Sequence, residues 1–159
     1  MHDSSARPSV GEVRYFEDFA PGEEYTQPGS YTLTEEEIRE VGERWDPQPF
    51  HIDPVAAKAS IFGGLVASSV HLFAIRTAIP AGSEAEPSAA VSALGIDKLR
   101  VRAPVRPGDE LTLRIRTLEC RESRSRPELG IVRNENELVN QHGGVVFSSE
   151  VAFLVSRRP

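Results

Sequence analysis

Asp46 and His51 lie five residues apart in the sequence, with Pro47 and Pro49 between them. Residues on one helix face are three or four apart, and each proline disfavours helical backbone in the residue before it. This segment is therefore predicted to be a fixed, non-helical loop that can aim both side chains at one point. Histidine titrates near neutral pH and a carboxylate can orient water or exchange a proton, so the pair suits general acid–base catalysis.

The same segment also has a purely structural interpretation. Aspartate before proline is typical of turns, and Asp53 followed by Pro54 is typical of a helix N-cap with proline at N1. A metal site made of Asp46, His51 and Asp53 lacks a second nearby histidine and is not favoured. The spacing alone leaves a catalytic pair and a structural turn both open.

The composition is typical of one ordinary globular domain with a proper hydrophobic core. The chain has 159 residues, of which 39% are hydrophobic and 26% charged, and its formal net charge of -6 argues against nucleic-acid binding. The single cysteine, Cys120, excludes an internal disulfide and a cysteine-rich metal site, and is interpreted as structural. We expect a cytoplasmic protein that needs no metal and no cofactor.

Neither a secretory signal nor a membrane span is predicted. Residues 1–12 are polar and are expected to form a flexible leader before one domain over residues 13–159. The most apolar stretch, residues 61–81, is interrupted by glycines, His71, Arg76 and Pro80, and is too short and polar to cross a bilayer.

Two predicted helices flank the Asp46–His51 segment. Thr34 and Glu37 have the spacing of a capping box, which predicts a helix from about Glu35 to Trp45 that leads directly to Asp46. After a short helical turn over Pro54–Ala59, residues 65–79 are apolar on nearly all sides and predict a buried helix. The first free amides of that helix are suited to a developing negative charge. His71 within it is interpreted as a core or interface histidine.

The rest of the chain is predicted to be β-rich, with an early strand over residues 23–33 and four later ones. Alternation over residues 96–102 places Lys98 and Arg100 on a basic strand face, and residues 131–140 form a weaker strand. Residues 80–88 are expected to be a loop. An antiparallel sheet wrapped around one long central helix is an α+β arrangement, the hotdog architecture.

The motifs together resemble the MaoC-like dehydratases, relatives of the (R)-specific enoyl-CoA hydratases of hotdog fold. Their motif is Asp-x-Asn-Pro-aliphatic-His with a small residue six positions later, which here corresponds to residues 46–51 and Ala57. Residues 62–69, 105–109 and 140–143 resemble further segments of the family, and the resemblance extends over residues 16–155. This sequence departs from the pattern at Trp45, Gln48, Phe50 and Ser68–Ser69, which bears more on substrate range than on chemistry.

The resemblance implies reversible addition of water to a trans-2-enoyl thioester, giving an (R)-3-hydroxyacyl thioester. Asp46 and His51 would hold and deprotonate the water and return a proton, with the division of roles between them open. The backbone amide of Ser69 would bind the oxyanion that forms on the thioester carbonyl. The candidate substrate-binding residues are Gly64, Phe50, Trp45, Lys98 and Arg100. For Lys98, Arg100 and Arg102, a solvated sheet face is the alternative to contact with CoA phosphates.

The expected partners are a CoA or acyl carrier protein thioester and a second copy of the chain. Hotdog sheets cover their faces partly by pairing, so a homodimer or higher even oligomer is implied. Two other functions stay open: an acyl-CoA thioesterase, and a non-catalytic hotdog subunit or acyl-CoA-binding protein.

Overall fold

The computed structural model describes residues 12–82 and 87–159. The predicted leader therefore lies, except for Glu12, outside the described residues. After a single 3-10 turn at Phe16–Asp18, the elements in chain order are β1 (Glu24–Thr26), β2 (Tyr31–Thr32), α1 (Glu35–Trp45), α2 (Pro49–Ile52), α3 (Pro54–Ala59), α4 (Ser69–Ala81), β3 (Ala90–Val101), β4 (Glu110–Glu122), β5 (Leu129–Val139) and β6 (Val145–Ser156).

One antiparallel sheet organises the molecule. Its strands follow the order β1-β4-β5-β6-β3, and β2 also pairs with β4. Strand β3 forms one edge. The inner face of the sheet packs on α4, where Leu72 and Ile75 meet Leu113, Leu138 and Phe147 in one buried cluster. The α+β hotdog prediction is confirmed.

Helix α4 begins later in the chain, and is less buried, than the sequence predicts. It begins at Ser69, because Ser68 is the N-cap and its Oγ accepts a hydrogen bond from the His71 amide at 3.2 Å. Pro80 belongs to the last turn of the helix, so the loop predicted over residues 80–88 starts later, and its residues 83–86 lie outside the described residues. One side of α4 is open in this chain, and Val70 is 47% exposed.

Strand β3 also departs from its predicted pattern. Its register against β6 shifts between Asp97 and Arg100, and Lys98 has a φ of 50°. The shift is a bulge, so the predicted alternation does not continue through Lys98 and Arg100. All residues of β3 are exposed in the single chain.

The N-terminus of α1 has one half of the predicted capping box. The Thr34 hydroxyl accepts a hydrogen bond from the Glu37 amide at 3.2 Å. The Glu37 carboxylate accepts a hydrogen bond from the Tyr31 hydroxyl and lies 3.2 Å from Nε2 of His71. Glu37 therefore connects α1 to β2 and to the first turn of α4.

No helix in residues 12–82 or 87–159 combines the length and the apolar character that crossing a bilayer requires.

Candidate active site

The segment from Asp46 to His51 is only partly a loop, and the non-helical prediction is wrong for its second half. Asp46 has an irregular backbone (φ −154°, ψ 76°), whereas Pro49–Ile52 forms the short helix α2. Gln48 is extended, as expected before a proline, and Pro49 occupies position N1, where its missing N–H costs no hydrogen bond. Pro49 therefore starts a helical turn instead of preventing one.

The side chains of Asp46 and His51 meet at this turn. Nε2 of His51 lies 3.5 Å from Oδ2 of Asp46, with the imidazole buried and the carboxylate half-buried. The distance suits two groups that share one proton or one water molecule.

The second ring nitrogen of His51 defines the tautomer. Nδ1 lies 2.6 Å from the carbonyl oxygen of Val66. A carbonyl only accepts hydrogen bonds, so Nδ1 carries the hydrogen and donates it. In the neutral imidazole, Nε2 is then the free acceptor, and it faces Asp46.

A glycine brings α1 close enough to support this turn. A Cβ at Gly42 would lie 3.0 Å from the His51 Cβ, 3.0 Å from the His51 carbonyl oxygen and 3.0 Å from the Ile52 Cγ2. The Asp46 amide also donates to the Gly42 carbonyl oxygen at 2.9 Å, ending the helix there. Helix α1 thus fixes both residues of the pair.

The extended segment 65–68 lies between α2 and the chain that follows β3. The Val66 amide donates to the Phe50 carbonyl at 3.2 Å, and the Ala67 amide donates to the Val105 carbonyl at 2.9 Å. These bonds hold the segment in an extended path, and the Val66 carbonyl, which a longer helix would need as an acceptor, is already bound to Nδ1 of His51. The Ser69 amide is at position N1, among those that a helix leaves without an internal partner.

A cavity of about 330 Å³ connects these groups. Its lining includes four of the predicted site residues: Asp46, Phe50, His51 and Ser69. The Phe50 ring packs edge-on against His51 and tilts over Phe62. The remaining lining residues are Phe62, Val66, Ala67, Val101, Arg102, Ala103 and Pro104.

Four other predicted residues lie outside this lining. Trp45 is 62% exposed, with the Arg44 guanidinium 5.1 Å from its ring. Lys98 donates to Oε1 of Glu150 at 2.8 Å, and Arg100 is exposed and donates to the Leu99 carbonyl. A Cβ at Gly64 would lie 3.2 Å from the Arg106 guanidinium.

Two arginines lie near the cavity, and of these Arg106 was not identified as a site residue from the sequence. Arg102 lines the cavity and donates to the Ser148 hydroxyl at 2.9 Å. Arg106 donates to the Phe62 carbonyl and so holds the 60–64 turn against the site. Arg102 was visible only as one member of a basic strand, and nothing in the sequence pairs Arg106 with Phe62.

Asp53 has the structural role that its position predicts. Its Oδ1 accepts hydrogen bonds from the Val55 amide at 2.8 Å and the Ala56 amide at 3.3 Å, capping α3. In the part of the chain that the structure describes, no three His, Cys, Asp or Glu residues are grouped so as to hold a metal ion.

The family follows from a comparison with known domains. A family model described as "MaoC like domain" matches residues 17–140, which include both Asp46 and His51. The chain belongs to the MaoC-like family.

Several proteins are similar to this MaoC-like chain. A MaoC-like dehydratase from Rhodospirillum rubrum is 36% identical, with a TM-score of 0.84 over 92% of this chain and 99% of that one. A UPF0336 protein from Streptomyces avermitilis is 31% identical over 146 residues, 86% of this chain and 91% of its own length. The R-hydratase PhaJ1 from Pseudomonas aeruginosa is 21% identical, with a TM-score of 0.70 over 91% and 86% of the two chains, a likeness that shows the fold alone.

Proposed function

We propose that this protein is a hydro-lyase that adds water reversibly to a trans-2-enoyl thioester, giving an (R)-3-hydroxyacyl thioester. The observation that carries the proposal is the buried imidazole of His51, with its acceptor nitrogen 3.5 Å from the Asp46 carboxylate at the wall of a cavity. Family membership and the similarity to the MaoC-like dehydratase from Rhodospirillum rubrum support the same reaction class.

In the proposed reaction, His51 Nε2 takes a proton from a water molecule whose oxygen bonds to C3. The double-bond electrons move to C2 and onto the thioester oxygen, giving an enolate. Protonation at C2 by the imidazolium completes the addition and returns His51 to its neutral form. Asp46 orients the water and stabilises the positive imidazolium, while the Val66 carbonyl keeps the ring in the required tautomer.

The enolate oxygen needs a hydrogen-bond donor, and the Ser69 amide is the proposed one. It lines the cavity at the first turn of α4, where the helix dipole also favours negative charge. Removing one such donor typically costs about 3 kcal/mol of transition-state stabilisation.

The proposed carrier is CoA, whose phosphates need cations near the entrance of the cavity. Arg102 lines the cavity, and Arg100 is two residues earlier in the chain, next to it and exposed. Replacing Arg100 with Gln should raise KM for a CoA thioester and leave kcat nearly unchanged. An equal fall in kcat would contradict simple phosphate binding.

We also propose that the protein forms a homodimer through β3. This edge strand is 12 residues long, exposed along its whole length, and has apolar side chains on its surface: Val91, Leu94, Ile96, Leu99 and Val101. An exposed apolar edge strand is an aggregation hazard unless something pairs with it. A second β3 running antiparallel across a two-fold axis would continue the hydrogen bonding of the sheet.

The reaction can be tested by the loss of enoyl-thioester absorbance with crotonyl-CoA and with longer and branched enoyl-CoA esters. Asp46→Asn and His51→Gln should each lower kcat by about a hundredfold or more, the range of positioned acid–base catalysis. Free thiol should not appear; its stoichiometric release would instead identify a thioesterase.

Two variants control for charge and for local disturbance. Asp53→Asn changes a carboxylate in the same segment but keeps an equally good N-cap, and His142→Gln changes an exposed histidine. Both should keep full activity. Activity that survives in both Asp46→Asn and His51→Gln would disprove the mechanism, and a folded wild type inactive on every ester would favour a non-catalytic subunit.

A further inference from the structure

A second cavity, of about 350 Å³, lies between α4 and the inner face of the sheet. Its polar lining includes Arg76 from α4 and Asn134 and Asn136 from β5. Among the described residues, none lines both this cavity and the one at Asp46 and His51. The proposed chemistry at C2 and C3 does not use it.

Arg76 is a half-buried cation without a balancing carboxylate in the lining. Its Nε is fully buried and has no hydrogen-bond partner among the described residues, and its guanidinium lies 5.7 Å from the Phe73 ring. Burial lowers the pKa of Arg76, but an arginine keeps its charge in proteins. Within residues 12–82 and 87–159, no Asp or Glu lines the cavity, and the other lining arginine, Arg14, is paired with Glu23 at 2.7 Å.

Two asparagines occupy positions where a sheet normally places apolar residues. Asn134 is 5% and Asn136 is 1% exposed, and both point inward from the central strand. Oδ1 of Asn134 is fully buried without a partner, and Nδ2 of Asn136 reaches the Asn134 carbonyl only at 3.4 Å. Burying a polar group without a hydrogen bond costs about 1–3 kcal/mol, so such groups normally have partners.

We propose that this cavity binds the carboxylate group of a small organic anion. The planar guanidinium of Arg76 can donate two parallel hydrogen bonds to a carboxylate, and the asparagine amides can donate further ones. Phe19, Ile115 and Phe153 supply apolar walls for a carbon skeleton. The carboxylate would neutralise the buried charge and accept the hydrogen bond that Nε of Arg76 otherwise lacks, while Oδ1 of Asn134, itself an acceptor, would need a donor elsewhere on the ligand.

The carboxylate can come from a free metabolite or from the far end of a dicarboxylic acyl group. Isothermal titration with glutarate and benzoate tests the free ligand, with glutaramide, benzamide and inorganic phosphate as comparison probes. Arg76→Gln should weaken carboxylate binding about tenfold or more, as expected for one lost charge-assisted hydrogen bond. Arg44→Gln, at an exposed arginine of α1, should leave binding unchanged.

The acyl source is tested by hydration of glutaconyl-CoA, which has a distal carboxylate, against crotonyl-CoA, which lacks one. If the ligand is the acyl end, Arg76→Gln raises KM about tenfold for glutaconyl-CoA alone. The hydration experiment depends on the proposed function. The titrations need no turnover, so their result tests carboxylate binding even if the proposed function is wrong. The inference is overturned if neither arm depends on Arg76, or if phosphate or the amides bind as well as the carboxylates.

Thermal stability distinguishes a ligand-binding arginine from a packing arginine, because the two roles predict opposite changes in Tm when Arg76 is replaced by methionine. Arg76→Met removes an unpaired, partly buried charge, so Tm without ligand should rise by about 2–4 °C, the shift for 1 kcal/mol in a domain of this size. The same variant should lose the Tm increase that glutarate or benzoate gives the wild type. A lower Tm in Arg76→Met would show that Arg76 is a packing residue and would overturn the proposal.

Discussion

The two ring nitrogens of His51 have different contacts and therefore different proposed roles. The Val66 carbonyl holds the Nδ1 hydrogen at 2.6 Å, and Nε2 faces Asp46 at 3.5 Å. The other tautomer, with the hydrogen on Nε2, could not accept a proton from the proposed water. The Val66 carbonyl therefore favours the tautomer that the proposed mechanism needs.

The Ser69 amide can be removed without breaking α4. Proline is tolerated at N1, and Ser68 before it is already extended (φ −74°, ψ 160°), as a residue before proline prefers. Ser69→Pro should lower kcat by about 10²–10³-fold, the typical loss of one oxyanion donor. Ser69→Ala keeps the amide and should stay near wild-type activity. Equal rates in the two variants, with helical circular dichroism unchanged, would exclude the amide from catalysis.

Tyr31 should make stability depend on alkaline pH. Its hydrogen bond to Glu37, with smaller contributions from burial and from the Glu37 charge, raises the pKa of Tyr31 from 10.0 to about 12. The folded state binds this proton more tightly, so the stabilisation is complete below pH 10 and is lost as the pH rises towards 12.

Urea unfolding of the wild type and Tyr31→Phe at several pH values measures this effect. The variant should be less stable below pH 10 by about 1 kcal/mol, the usual net value of one hydrogen bond, and the difference should close towards pH 12. Glu37→Gln removes the charge and should weaken the pH dependence. A stability difference that stays constant across this range would contradict the assignment.

Among the elements, helices α1 and α2 form one unit that carries the proposed catalytic pair. Asp46 ends α1, His51 lies in α2, and Gly42 brings the two helices into backbone contact. The distance between the carboxylate and the imidazole therefore depends on how closely these helices pack. A substitution that changes this packing should therefore move His51 although neither Asp46 nor His51 is itself replaced.

Gly42→Ala tests this dependence. Alanine favours a helix by about 1 kcal/mol, but its Cβ would lie 3.0 Å from the His51 carbonyl oxygen, which cannot move without α2. Overpacking typically destabilises a protein by about 1–3 kcal/mol, which exceeds the gain in helix propensity, so both stability and kcat should fall. Gly82→Ala is the matched control, because its nearest atom is at 3.5 Å, an ordinary contact. Unchanged kcat in Gly42→Ala would show that the pair tolerates displacement of α2.

At the scale of the whole molecule, two surfaces of the single chain are left apolar and uncovered. One is strand β3, and the other is the open side of α4, with Val70 at its first turn. Val101, the last residue of β3, also lines the cavity at Asp46 and His51. Pairing through β3 would therefore cover apolar surface and complete the surroundings of the site.

Ile96→Lys should disrupt this pairing, because it puts a charge in the middle of the exposed strand. Light scattering should give a dimer or higher even oligomer for the wild type and a smaller species for the variant. Val55→Lys, at an exposed apolar residue of α3, should keep the wild-type mass. A monomeric wild type at working concentration would contradict the dimer.

Local patterns in the sequence predicted several features that the structure confirms. The cap at Thr34, the cap at Asp53 and the extent of α1 depend on residues within one turn of each other. The hotdog arrangement followed from the order of apolar patterns along the chain, and the spacing of Asp46 and His51 marked the pair that the structure brings together.

Only the tertiary structure decided the features that depend on residues distant in sequence. The Val66 carbonyl that orients His51 and the Val105 carbonyl that accepts from the Ala67 amide are hydrogen-bond partners that no local pattern reveals. The inward asparagines made β5 look weak in sequence, although it lies at the centre of the sheet. They line the same cavity as Arg76 because α4 packs on the sheet, a long-range contact that no local spacing in the sequence reveals.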